Sequence, residues 1–212
     1  RIGEGSSVST ADLLGSGRSL VTVDGGVLDV AGLLRPGSSS IISIDKGGQV
    51  KTDWLQPAAE SSFRIEIDNG AELAANQILN VPLLHLKNAG RVVERRANNG
   101  QSNSLDVETL LAESGGIIDF RGGTALLPAG GAWRITEGSD MKVGALSIER
   151  GSQFEVSDGA KLDVGEANLV RGHHMLLTGE GSLFRAGFVS ISEPNGLKIA
   201  NGATARFYTL NL

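Results

Sequence analysis

Three aspartates stand at matching places in this chain. Asp24 comes just before Gly25, Asp45 two residues before Gly47, and Asp68 two residues before Gly70. Carboxylates that recur at near-equal intervals supply what general acid–base cleavage of a glycosidic bond requires, provided the fold brings the intervals together. The same residue type suits a tight turn ahead of glycine, because its carboxylate accepts hydrogen bonds from nearby backbone N–H groups. The turn reading accounts for all three, so no catalytic residue is assigned. His173 and His174 are adjacent; in an extended chain they face opposite sides and cannot share one metal ion. His85 has no acidic residue near it in sequence. The stretch "GEGSLFRAG" lacks the Gly-Lys-Ser/Thr ending of a phosphate loop, and there is no G-x-S-x-G elbow. No metal site and no cofactor is therefore expected. Trp54 and Trp133, the only tryptophans, are the two candidates for contact with a carbohydrate or a partner: an exposed indole stacks on a sugar ring, whereas a covered one is packing.

Composition narrows the classes. The chain has 212 residues, 30 of them glycine, no cysteine, only 4% aromatics and a formal charge of −5. A glycine excess without a Gly-X-Y period excludes collagen, and 40% hydrophobic residues exclude disorder. The apolar set is mainly Val, Leu, Ile and Ala, which suits a thin, uniform core. Mild acidity argues against nucleic acid as a partner. The basic patch of Arg91, Arg95 and Arg96 is interrupted by Glu94 and reads as a solvated face. No apolar run approaches a membrane span, and the first ten residues lack the apolar centre of a signal peptide.

The elements that must position these residues are written as repeats. "LVTVDGGVLDV" from Leu20, "IISIDKGGQVKT" from Ile41, "FRIEIDNGAELAA" from Phe63 and "LLHLKNAGRVVER" from Leu83 each join two alternating runs through a polar–glycine corner. Alternation marks half-buried strands. Gly25, Gly47, Gly70, Gly90 and Gly159 are the structural turn residues. From Leu146 the spacing tightens to eight, with Ile148, Val156 and Val164 in equivalent positions. The segment from Leu105 to Ser114 reads as a strand or a short helix, the strand being preferred. A meander of hairpins has no reason to repeat every twenty or so residues. A β-solenoid does, because each coil must sit in register on the last. The expectation is an all-β, parallel solenoid of about ten coils. It forms a single domain over 1–212, less regular at about 97–131, with Leu20 or Val21 beside Val23, Ile42 beside Ile44, and Ile65 beside Ile67 in core columns. The pattern still runs at the last residues, so the chain is expected to be an open-ended piece of a longer rod.

"GSQFEVSDGAKLDVGE" (Gly151 to Glu166), "GLKIANGATARF" (Gly196 to Phe207) and "FRIEIDNGAELAANQIL" (Phe63 to Leu79) resemble the repeats of autotransporter passenger domains, within the broader pectate-lyase-like β-solenoids. The resemblance covers about two thirds of the chain. It implies a right-handed β-helix exported by a Gram-negative bacterium and displayed at the cell surface as a non-catalytic stalk or adhesin. Its partners would be a surface carbohydrate, a protein ligand or further copies of itself. A polysaccharide-processing β-helix enzyme or phage tail spike, and a self-assembling filament subunit, are the alternatives.

Overall fold

The computed structural model describes residues 1–58, 62–95, 103–169, 174–191 and 196–211. Among the described residues there are nineteen strands and no helix, and they form a parallel β-solenoid of about nine turns. Every strand pairing is parallel. A hairpin meander would have required antiparallel ones.

Three sheets run along the axis. Sheet I stacks Ser7–Thr10, the first halves of Val27–Arg35, Gln49–Leu55 and Glu72–Leu86, then Arg91–Glu94, and continues to Thr204–Asn211. Sheet II stacks the second parts of the same long strands, with Leu13–Leu14 at one end and Ser104–Ala112 joining midway. Sheet III begins with Leu20–Asp24, Ile41–Asp45 and Arg64–Ile67 and ends at Leu197–Ala200. The segment that could have been a helix is the strand Ser104–Ala112, with Leu105, Val107, Leu110 and Ala112 inward. From Asn103 onward the 97–131 section forms rungs with register shifts between Leu105 and Val107 and between Phe120 and Thr124; 97–102 lies outside the described residues.

Alternation decides which atoms meet. In Gln49–Leu55, Val50, Thr52 and Leu55 are buried while Gln49, Lys51 and Asp53 are not. Thr52 tolerates burial because its hydroxyl donates to the carbonyls of Gly32 and Trp54, at 2.9 and 3.0 Å. In sheet III the inward columns are Val21, Ile42, Ile65, Leu84 and Val23, Ile44, Ile67, Leu86. Val21 rather than Leu20 faces the core; Leu20 is 65% exposed. Arg64, not Phe63, is the residue in register with Ile41.

The apparent eight-residue repeat has a different origin. Ile148, Val156 and Val164 lie in sheets II, III and I, three sides of the rod rather than three successive rungs. Phe154 to Leu162 is eight residues, Leu162 to Ala167 five, and Ala167 to Met175 eight. Their sum is the 21 that separates the stacked partners Phe154 and Met175. The period does not tighten; a coil simply contains two octads and a short bend.

Most corners between sheets III and I are four-residue turns closed by a hydrogen bond from the fourth N–H to the first carbonyl, as in Gly48 to Asp45 at 2.8 Å and Ala71 to Asp68 at 3.0 Å; the corner between Asp24 and Val27 is one residue shorter. In these turns the two central residues are commonly left-handed, as at Lys46 and Gly47, Asn69 and Gly70, and Asp158 and Gly159. Turns also bond to one another along the axis: Gly47 N–H donates to Asn69 and Gly70 N–H to Asn88. Gly25, Gly47, Gly70 and Gly159 all have φ between 70° and 78°. Gly90 works differently. It is the fourth residue of its turn, the left-handed pair being Asn88 and Ala89, and an added Cβ there would fall 2.3 Å from the Ile67 carbonyl oxygen.

Candidate functional site

The aspartate column is occupied with turn chemistry. Asp45 accepts hydrogen bonds from its own turn, Lys46 N–H at 2.7 Å, and from the Asn69 amide of the next coil at 2.8 Å. Asp68 repeats this with Asn69 N–H and the Asn88 amide. Asp24 is ion-paired with Arg1 and Lys46, and hydrogen bonds from those two side chains hold its carboxyl below the usual carboxylate range. Each carboxylate thus ties one turn to the next.

The structure separates the two tryptophans. Trp133 does not lie on a coil face. It is in the core, 1% exposed, its indole N–H donating to the Val107 carbonyl at 2.8 Å and its ring edge-on to Phe154 at 5.7 Å. A ring enclosed in this way cannot stack on a sugar, which removes Trp133 as a contact residue. Its inward position in the alternation of Ala132–Ile135 is the reason. Trp54 is 42% exposed, between Leu33 and Gln77 on the outside of sheet II. Beside it, Arg95 donates to Val30 O and pairs with Asp29 and Asp53 at 3.3 and 3.6 Å. Arg91 pairs with Glu72; Arg96 lies outside the described residues. His85 has a partner that sequence proximity hid: Glu113, one coil on, 2.9 Å from Nε2. His174 is exposed at the start of a sheet III strand, and His173 lies outside the described residues. Gly179 and Gly181 belong to a III–I corner. Among the described residues no group of three or more His, Asp or Glu is placed to hold a metal ion.

An open concavity lies elsewhere, at the bend between sheets I and II. In most coils a single residue makes this bend, and in three consecutive coils it is Gly144, Gly165 and Gly187. Their backbones stack so closely that a Cβ on Gly165 would come within 2.5 Å of Gly144 O, and one on Gly187 within 2.7 Å of Gly165 O. Side chains are excluded from the corner, and an open groove of about 720 Å³ results. One wall is the outward column of sheet I, where Lys142, Asp163, Arg185 and Arg206 are in register. Arg121 closes one end of the groove and Tyr208, 93% exposed, the other.

Four cations face one carboxylate there. Arg121 chelates Asp119 with two hydrogen bonds, 2.9 and 2.6 Å, which hold Asp119 below the usual carboxylate range. Lys142 pairs with Asp140 at 2.8 Å and Arg185 with Asp163 at 2.8 Å. Among the described residues Arg206 has no acidic partner. The groove combines these paired charges with an apolar floor and an aromatic ring at one end. Sequence reasoning passed over these residues. Their signal was available as a basic or acidic residue two positions before a glycine at 142–144, 163–165 and 185–187, recurring every 21 to 22 residues.

The fold and this surface define a class, the parallel β-solenoid repeat proteins. Compared with protein-family models, curated proteins and solved structures, the chain finds no match. Among the described residues no helix is long and apolar enough to cross a membrane.

Proposed function

We propose that this chain is a non-catalytic segment of a rod displayed on a bacterial surface, of the autotransporter-passenger kind, which projects and presents an adhesive face. The observation that carries this reading is the unbroken ladder of sheet I from Ser7–Thr10 to Thr204–Asn211. About nine turns at ~4.8 Å each make a stiff rod roughly 43 Å long. Its inner columns are aliphatic and its outer columns carry paired charges, so the sides stay solvated while the backbone is used in holding rungs together. Such a body offers a long lateral surface and little enclosed space, which favours spread-out contact with a carbohydrate or protein ligand over turnover.

The test is retention. Beads coated with the chain and passed over immobilised host-surface glycans and matrix proteins are expected to be held against flow, whereas albumin-coated beads are not. Retention no better than albumin, or depolymerisation of a polysaccharide by the purified chain, overturns the reading.

A further inference from the structure

We propose that Asn69 and Gly70 form a modification site gated by coil stacking. Asn69 cyclises to a succinimide, and from there to aspartate or isoaspartate, when its turn comes away from a neighbouring coil, and the product keeps that turn from docking again. The inference goes beyond the adhesive reading and does not depend on it. Asparagine cyclises most readily before glycine, because no Cβ hinders the approach of the following nitrogen. Both residues are exposed, so water reaches them.

The reaction joins two groups of one turn. Gly70 N, on losing its proton, attacks Asn69 Cγ and ammonia leaves; water then opens the ring at either carbonyl, giving aspartate or isoaspartate. The fold ties those two groups to different coils. Gly70 N–H donates to Asn88 O of the following coil at 3.0 Å. The Asn69 side-chain amide donates to Asp45 Oδ1 of the preceding coil at 2.8 Å. Stacking thus aims the nucleophile one way along the axis and the electrophile the other. Within the turn, Asn69 N–H is held by Asp68 Oδ1 at 2.7 Å and Ala71 N–H by Asp68 O at 3.0 Å. The two groups meet only after a contact with a neighbouring coil is broken.

The product cannot restore the tie. An amide donates, whereas a carboxylate only accepts. Aspartate at this position would set two carboxylates against each other where a 2.8 Å N–H···O bond now stands. Asp68 lies beside them, and the nearby cation Lys46 is paired with Asp24 at 3.2 Å. Isoaspartate disrupts more, because it adds a methylene to the main chain of a turn closed across four residues. The next coil supplies an internal contrast. Asn88 makes the same tie, to Asp68 at 2.8 Å, but Ala89 follows it, and that Cβ hinders the attack.

The test is mass spectrometry of digests after the full chain is incubated in warm, mildly alkaline buffer. Asn69 should convert at least roughly tenfold more slowly in the folded chain than in an unfolded peptide of the same sequence. Asp45→Ala, which removes the acceptor, should speed conversion about three- to tenfold, with Asn88 intact in both chains. Should Asp45→Ala fail to fold, the unmodified chain in sub-denaturing urea decides: conversion of Asn69 should rise in proportion to hydrogen exchange at the Gly70 amide. Conversion as fast as in the peptide, no acceleration in folded Asp45→Ala, or conversion that does not follow Gly70 exchange overturns the gate. Asn69→Asp, which carries the product side chain, should speed exchange at Gly70 and Ala71. Exchange unchanged in that variant overturns the claim that the modified turn cannot dock again.

Discussion

Replacing Gly90 with alanine and, separately, Gly47 with alanine distinguishes two reasons for glycine at the same corner. At Gly47 the backbone is left-handed, φ 72°, and an added Cβ meets nothing within 4 Å. Only conformation opposes the substitution, at about 1–2 kcal/mol. At Gly90 the left-handed pair is upstream, and the new methyl would sit 2.3 Å from Ile67 O and 2.9 Å from its carbonyl carbon. Bringing that contact to 3.0 Å requires a shift of 0.7 Å between adjacent coils. The same Ile67 oxygen accepts the Lys87 N–H at 2.9 Å, so the shift also loosens a rung. Overpacking of about 1–3 kcal/mol and a weakened hydrogen bond of about 1 kcal/mol give roughly 3 kcal/mol. Stacked coils need not unfold as one unit. The measurement is therefore urea denaturation by circular dichroism together with amide exchange over residues 86–92, where Gly90→Ala should accelerate exchange more than Gly47→Ala does at its own corner. A loss at Gly47 equal to or greater than that at Gly90 refutes the steric account of the fourth turn position.

Other perturbations follow from single contacts. Trp133→Phe leaves the buried Val107 carbonyl without its indole donor and should lose about 1–3 kcal/mol in urea denaturation, while Trp54→Phe should change stability by less than about 0.5 kcal/mol. In the Trp54→Phe chain the remaining emission should be blue-shifted and resistant to iodide. Asp106 is pushed above the usual carboxylate range chiefly by burial, with Glu149 adding to the effect and an Asn80 backbone hydrogen bond opposing it. The folded state therefore holds that proton more tightly than the unfolded chain, and stability from this group is present at low pH and lost as pH rises through its folded value. Asp106→Asn should accordingly raise the melting temperature at neutral pH, with the gain vanishing in acid. Asp119, lowered by its Arg121 hydrogen bonds, contributes in the opposite sense: its stabilisation is present above the ordinary carboxylate range and fades on acidification. The effect should be small in a thermal-melt pH series, because Arg121 is exposed.

The parts of the fold legible in the sequence were those set by neighbours along the chain. Alternation in "IISID" and "RIEI" named Ile42, Ile44, Ile65 and Ile67 as inward residues, because a period of two has only one buried face. Near-constant spacing implied stacking, because a coil of different length would not sit on the last. What stayed hidden depends on which coil lies beside which. His85 meets Glu113 across 28 residues, and Arg95 reaches Asp29 across 66; no local pattern states those pairs. Trp133 illustrates another limit. Composition marks a tryptophan as a contact candidate, but only its parity in the strand, inward beside Phe154, assigns it to the core. The octads misled because two sides of a coil happen to have equal length.

Once register is known, the outer columns show a tendency and two departures from it. Stacked neighbours carry opposite charges: Asp29 with Lys51, Glu72 with Arg91, Asp119 with Lys142, Lys142 with Asp163, Arg134 with Glu155, and Asp163 with Arg185. In-register like charges repel across a sheet, so this alternation favours the observed order of coils over a slipped one. Asp24 on Asp45 breaks it, with Arg1 and Lys46 paired to Asp24, and Arg206 on Arg185 breaks it on the wall of the groove. Local rules are broken with least penalty where something else is gained, and functional sites are the usual place. Arg206→Glu restores the alternation and should stabilise the chain by about 0.2–1 kcal/mol, seen as a higher urea midpoint. If Arg206→Glu instead destabilises the rod, the cation belongs to its packing, and charge alternation does not set the order of these coils.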